Sequence, residues 1–295
     1  MGSVVMADHR PTIAVLSGKG GTGKTFVAVN LAAAARSAYY IDCDVEEPNG
    51  HLFLRPKNVV SQPVEVLIPL VDQNLCTACR SCVEFCKFNA LALILDRLLV
   101  FEEICHSCGG CVLACPVGAL SERKKEIGII QRGKADHVEV FTGILNIGEI
   151  TGVPIIERLL ELERDPAVLT VIDCPPGAAC SVMESIADAD YCLIVVEPTL
   201  FGLHNFKLVY ELASRLGKKV GIIANKWMGS YDPIEDFCHA QSLPILAKIP
   251  YDSNLALLNS EGKIAAAEKA EYAELFAKLL AMVGEEAGYE AIINS

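Results

Sequence analysis

The pattern C-x-x-C-x-x-C-x-x-x-C occurs twice in this chain of 295 residues. Its first copy is Cys76, Cys79, Cys82 and Cys86; its second, twenty-nine residues on, is Cys105, Cys108, Cys111 and Cys115, followed by Pro116. No other feature limits the fold so tightly, because eight thiols at this spacing must be wrapped around something. A 4Fe–4S cubane takes three thiolates from one such run and a fourth from elsewhere, and in two-cluster proteins the fourth is exchanged between the runs. The expected sets are therefore Cys76, Cys79, Cys82 and Cys115 for one cluster, and Cys105, Cys108, Cys111 and Cys86 for the other. Paired zinc sites are the alternative, since C-x-x-C also suits zinc. Zinc needs only two close pairs and leaves the third and fourth cysteines, recurring in register, without a role.

The cysteine block interrupts a different text. Thr12–Ser17 is a short apolar run ending in glycine, and a helix from Lys24 to about Arg36 follows it. Tyr39–Asp42, Val168–Asp173, Tyr191–Val196, Val220–Ala224 and Ile245–Ile249 are further apolar, β-rich runs with helical or loop segments between. That alternation predicts an α/β fold built on a parallel sheet with helices on both faces. The alternation stops between residues 64 and 135. The expected division is an outer domain of residues 1–63 and 136–295 with a small α+β module, residues 64–135, inserted into it. Near the C-terminus, Ile264–Val283 places Tyr272, Leu275, Phe276, Leu279 and Leu280 on one face, which predicts one core-packing helix.

Gly18-Lys19-Gly20-Gly21-Thr22-Gly23-Lys24-Thr25 matches G-x-x-x-x-G-K-[ST] between a strand and a helix, the context that this phosphate-binding loop requires. Its glycines let backbone N–H groups curl around phosphate, and the helix N-terminus adds partial positive charge. Lys24 is expected to reach the β/γ-phosphates and the Thr25 hydroxyl to bind Mg²⁺.

Lys19, in K-G-G-T-G-K-T, gives the chain its resemblance to the deviant Walker A ATPases: MinD, ParA, the Mrp-type iron–sulfur carriers and the nitrogenase iron protein. The resemblance runs over almost the whole chain and is nearest to MinD-like ATPases with an inserted two-cluster ferredoxin domain. It implies ATP and Mg²⁺ as ligands, and a homodimer, or a heterodimer with a related ATPase, in which Lys19 reaches the partner's nucleotide. Asp42-Cys43-Asp44 looks like switch I, with Asp44 orienting the attacking water and Asp42 a partner of the Mg²⁺ shell. Asp173-Cys174-Pro175-Pro176-Gly177 resembles switch II, with Asp173 holding Mg²⁺ through water. Asn225-Lys226 resembles an adenine-binding pair, and Pro250-Tyr251-Asp252 the loop that closes the base pocket. Two departures stand out: Lys87 rather than proline follows Cys86, and Asn205 stands where relatives often have Asp.

Five cysteines remain: Cys43, Cys174, Cys180, Cys192 and Cys238. Cys180, seven residues past Asp173, sits at a distance similar to that of the subunit-bridging cysteine of the nitrogenase iron protein, which would make it a metal ligand; its bland reading is a small buried side chain. The others read as packing residues, and His106 as solvated. The remainder is odd and has no secreted-framework spacing, and no signal peptide is expected, so a reducing cytoplasmic setting fits. A formal charge of −12 argues against nucleic acid and anionic membrane surfaces as partners. No apolar run is long enough to span a bilayer.

The sequence thus predicts an ATPase that couples nucleotide state to an iron–sulfur module, for electron delivery or metal-cofactor assembly with a redox or metal-cofactor protein. Two rivals stand beside it: a positioning ATPase of the MinD or ParA kind whose insert is structural or redox-sensing, and an Mrp-type cluster carrier.

Overall fold

The computed structural model describes residues 11–229 and 233–288. Its centre is a nine-stranded sheet. In chain order the strands are β1 (Thr12–Leu16), β2 (Ala38–Asp42), β3 (Lys57–Val71), β6 (Leu120–Ala135), β7 (Val138–Leu145), β8 (Leu169–Asp173), β9 (Tyr191–Val196), β10 (Lys219–Trp227) and β11 (Ile245–Pro250). The spatial order is β11-β10-β9-β1-β8-β2-β7-β6-β3. Seven strands run parallel, and β6 and β3 are added antiparallel at one edge. The first strand lies in the middle, between β8 and β9, so the loop that follows it opens at the centre of the sheet's carboxyl edge.

The central parallel strands β1, β8 and β9 are buried almost throughout because both faces are covered. Ile13 and Val15 pack into a core with helices α1 (Lys24–Ala34) and, near the C-terminus, Ala265–Glu268 and Ala270–Ala287. Phe26 and Phe276 meet edge-to-face there, 5.8 Å apart. Ala14 and Leu16, one residue out of phase, pack into a second core with helices Val153–Leu160, Cys180–Ser185, Leu200–Arg215 and Pro233–Ala240. The helix after the phosphate loop ends at Ala34, two residues short of its predicted end. The single C-terminal helix predicted over 264–283 is broken: Lys269 is extended (φ −140°, ψ 130°), and the Asn30 side chain accepts the Ala266 N–H at 2.8 Å. A tertiary contact overrides good local helix propensity there.

The cysteine block is carried on a two-stranded ribbon. Strands β3 and β6 pair over their whole lengths, from Lys57↔Lys134 to Val71↔Leu120. Pairing of β6 with β7 starts only at Gly128↔Leu145. Beyond Gly128 the ribbon therefore leaves the sheet, from the carboxyl edge where β7 ends, the edge that also holds the phosphate loop. Residue 64 lies inside β3 and residue 135 at the end of β6, so both strands run unbroken from the sheet into the module.

At the ribbon's end, residues 72–119 form a small unit whose core of Cys82, Leu91, Leu98 and Cys111 is completed by Leu120 of β6. Strands β4 (Leu91–Ile94) and β5 (Arg97–Val100) form a separate hairpin. Helices Ser81–Phe85 and Gly110–Leu113 occupy matching places. The backbone repeats with the cysteines: left-handed residues occur at Ala78 and Ser107, Arg80 and Gly109, Asn89 and Gly118. Each pair is separated by the same twenty-nine residues as the motifs.

At Gly128, where the ribbon departs, a Cβ would fall 2.2 Å from the carbonyl oxygen of Ile144. Gly128→Ala is expected to destabilise the protein by about 1–3 kcal/mol, the usual cost of overpacking, read as a lower urea midpoint.

Candidate nucleotide site and cysteine cavities

Helix α1 begins at Lys24 with no capping side chain and no acidic residue in its first turn. Its amino-terminal N–H groups therefore have no protein anion to answer them, which suits a phosphate. Gly23 precedes it at φ 95°, and a Cβ there would lie 2.2 Å from Asn225 Nδ2. That amide donates to the Thr22 carbonyl at 2.7 Å and fixes the loop. Ser17, Gly20, Gly21, Gly23, Lys24 and Thr25 line a cavity of about 760 Å³, together with Asp44 and residues of the segments after Asp44 and Asp173. That volume is in the range of small-molecule sites.

A charge cluster lies beneath Lys24 and Asp44, which line the cavity. Strands β2 and β8 put Asp42 and Asp173 in register. Lys24 Nζ lies 2.6 Å from Asp173 Oδ1 and 3.5 Å from Asp44 Oδ2. The Tyr40 hydroxyl donates to Asp173 Oδ2 at 2.8 Å. Asp42 accepts the N–H of Gly50 at 2.9 Å and that of Asp44 at 3.2 Å. Burial by itself would lower the Lys24 pKa, but Asp173 and Asp44 more than reverse this and keep the ammonium charged. Burial pushes the Asp42 carboxyl up to about 8, and the neighbouring Asp173 adds to the rise. Oxygen donors of the kind Mg²⁺ prefers are present in the Thr25 hydroxyl and the carboxylates of Asp42, Asp44 and Asp173, although the three carboxylates do not close on one point.

Lys19 is paired within its own chain, with Nζ 2.5 Å from Glu197 Oε2. Lys226 shares the same carboxylate at 2.5 Å and also donates to the Gly21 carbonyl at 2.7 Å. Burial alone would raise the Glu197 pKa, and the bonds from Lys19 and Lys226 bring it below the ordinary value. Asn225, Pro250 and Asp252 line a side cavity of about 190 Å³ that borders Gly21 and Gly23. The carboxylate of Asp252 caps the helix Ser253–Ser260 through the Asn254 N–H at 2.8 Å. Tyr40 and Glu197 were not singled out from sequence. Both carried a signal: Tyr40 is two residues before Asp42, hence on the same sheet face, and Glu197 ends an apolar strand as Asp42 and Asp173 do.

The eight motif cysteines surround two separate cavities. Cys76, Cys79, Cys82 and Cys115 line one. Cys86, Cys105, Cys108 and Cys111 line the other. Cys79 and Cys108 are exposed, whereas Cys82 and Cys111 are buried. Burial raises the Cys111 thiol to about 11. Burial would also raise Cys115, but N–H groups from Val117 to Leu120 outweigh it and hold the thiol below its ordinary value. The Ala119 N–H donates to the Cys115 sulfur at 3.2 Å. Among the described residues, no three His, Cys, Asp or Glu side chains converge closely enough to grip a single metal ion. His106 stacks on Phe88, with ring centroids 3.8 Å apart, beside the second cavity. Cys180 is exposed; Cys43, Cys174, Cys192 and Cys238 are buried. No helix among the described residues is long and apolar enough to cross a membrane.

This combination of parallel sheet, glycine loop and switch aspartates belongs to a P-loop nucleotide-binding class. The CobQ/CobB/MinD/ParA nucleotide binding domain family matches residues 13–265, and the chain belongs to that family. It is 30% identical, over 273 residues, to an uncharacterized protein of Methanocaldococcus jannaschii, covering 89% of this chain and 95% of that one. The fold is similar to the cell division ATPase MinD of Pyrococcus furiosus: TM-score 0.58, 21% identity, 94% of this chain and 98% of that one. It is also similar to the septum site-determining protein MinD of Pyrococcus horikoshii, solved with Mg-ADP, at TM-score 0.55 and 19% identity over 94% of this chain and 98% of that one.

Two outcomes follow from this geometry. Lys24→Ala is expected to abolish nucleotide binding in an equilibrium titration, whereas Asp44→Ala, given the water-orienting role that the resemblance implies, should keep binding and lose hydrolysis by roughly 10²-fold or more. The second concerns pH. An acid raised in the folded state holds its proton more tightly there, so its stabilising effect is full below the unfolded value of 3.8 and is lost as pH rises through about 8. In protein stripped of nucleotide, Asp42→Asn should flatten the fall in urea midpoint between about pH 5 and about pH 8.

Proposed function

We infer that this protein binds and hydrolyses ATP-Mg²⁺ at the glycine loop and uses the nucleotide state to control a module holding two 4Fe–4S clusters. One observation supports the iron–sulfur assignment above the rest: each cavity takes three cysteines from one motif and the fourth from the other. That is the exchange two-cluster ferredoxin modules use. Zinc is the poorer fit, since two close pairs would leave the third and fourth cysteines, recurring in register, without a role. Cys76, Cys79, Cys82 and Cys115 would hold one cluster, and Cys86, Cys105, Cys108 and Cys111 the other; when bound, such clusters carry single electrons.

Contacts at the base of the ribbon support coupling. Val45, next to Asp44, is buried and accepts the Leu145 N–H at 2.9 Å. Asn146 then donates its N–H to the Ile127 carbonyl at 2.9 Å. Lys125, on the ribbon, pairs with Glu149 at 2.8 Å. A shift at Asp44 on γ-phosphate binding or loss therefore bears on the root of the ribbon. In this reading the protein works as a dimer, with itself or a related ATPase, and presents its clusters to a redox or metal-cofactor protein.

Anaerobically purified protein is expected to carry about eight iron and eight labile sulfide per chain, two cubanes' worth. Two zinc per chain and no visible absorption would overturn the assignment. For coupling, Lys125→Met combined with Glu149→Gln should leave ATP hydrolysis near wild type while erasing the difference in iron-chelation rate between ATP- and ADP-bound protein. A difference that survives intact would break the proposed link.

A further inference from the structure

Beneath Lys24, which lines the nucleotide cavity, lies a group that neither the phosphate loop nor the switch aspartates account for. Tyr40 is fully buried on β2. Its hydroxyl donates to Asp173 Oδ2 at 2.8 Å, while Asp173 Oδ1 takes Lys24 at 2.6 Å. The two partners differ in kind. Lys24 is a flexible cation that also lies 3.5 Å from Asp44 and stands at the start of α1, where phosphate would bind. When it turns to phosphate, Oδ1 is freed. Tyr40 has no such alternative. Its ring is backed by Gly50, where a Cβ would fall 2.1 Å from the hydroxyl and 2.3 Å from Cε1. The N–H of Gly50 is itself tied to Asp42 Oδ2 at 2.9 Å. The phenol is thus a rigid, uncharged donor that fixes the Asp173 carboxylate without neutralising it.

We propose that Tyr40 is a positioning residue for the divalent cation: it keeps Asp173 aimed at the Mg²⁺ shell while Lys24 is engaged by phosphate. The inference rests on the ATP-Mg²⁺ reading above. Outer-shell partners of this kind usually change metal affinity 10–100-fold when removed. A buried tyrosine also needs some acceptor for its hydroxyl, so a purely structural role predicts a loss of stability with no bias toward the metal.

The test is Tyr40→Phe, which keeps the ring, with Gly50→Ala as a second variant that keeps the hydroxyl and displaces it. ADP affinity is measured by equilibrium titration in EDTA and across a Mg²⁺ series, with Mn²⁺ bound alongside ADP counted by EPR. For Tyr40→Phe, the expected result is EDTA affinity within about twofold of wild type and a Mg²⁺ half-saturation raised about tenfold. Mn²⁺ affinity should fall in parallel, and Gly50→Ala should show the same selective loss. A wild-type Mg²⁺ dependence in Tyr40→Phe overturns the proposal, as does an equal loss with and without metal. If Tyr40→Phe does not fold, Gly50→Ala decides by the same ratio. If wild-type protein binds ADP with no response to Mg²⁺, the ATP-Mg²⁺ reading fails and this inference falls with it; a normal wild-type response with an unchanged variant defeats the Tyr40 assignment alone.

Discussion

Lys24 and Asp173 meet at the carboxyl edge of the sheet, 2.6 Å apart and almost wholly out of water. Each would be costly to bury alone; removing one partner from such a pair typically destabilises by about 3–5 kcal/mol. The surrounding fold answers that cost point by point. Central placement of β1 delivers Lys24 to the middle of the edge. The parallel register of β2 and β8 sets Asp42 beside Asp173. Tyr40 and the backbone N–H groups of Gly50 and Asp44 take up carboxylate oxygens that would otherwise face apolar strands. The residues of this charge cluster thus also tie β2, β8 and the start of α1 together.

The same edge explains where the module sits. Because β7 runs parallel to β2 and ends at Leu145, β6 can pair with it only as far as Gly128. The rest of β6 continues outward with β3 as its sole partner. Nucleotide cavity and cysteine cavities consequently lie on one side of the molecule. The segment after Asp44 is the material between them, held to β7 through Val45. A change in that segment has little apolar slack to absorb it, since Val45 is buried among Ile127, Ile155 and Leu159.

Much of this was legible beforehand. Strands β1, β2 and β8 announce themselves as apolar runs ending in glycine or aspartate, and the cysteine spacing leads to the same grouping that lines the two cavities. The ribbon was not legible, for a physical reason. A segment such as Ser121–Glu126 is polar because a two-stranded ribbon outside the core has both faces wet, so it carries no apolar strand signal. Strand β7 was not predicted; only two residues separate it from β6. Tyr40 and Glu197 acquire their roles from partners 133 and 178 positions away. No local pattern reports such a pairing.

The long strand β3 has one more consequence. It forms an edge of the nine-stranded sheet, and fifteen residues of edge are a template on which another extended chain can add. Two of those residues are Pro63 and Pro69, and each removes a backbone donor from the strand. A shift in register lies between Val64 and Glu65, which bends the ladder. Exposed Val60, Leu67 and Leu70 would otherwise favour stacking of one ribbon on another. The prolines and the bulge act as guards against fibre-like, edge-to-edge association.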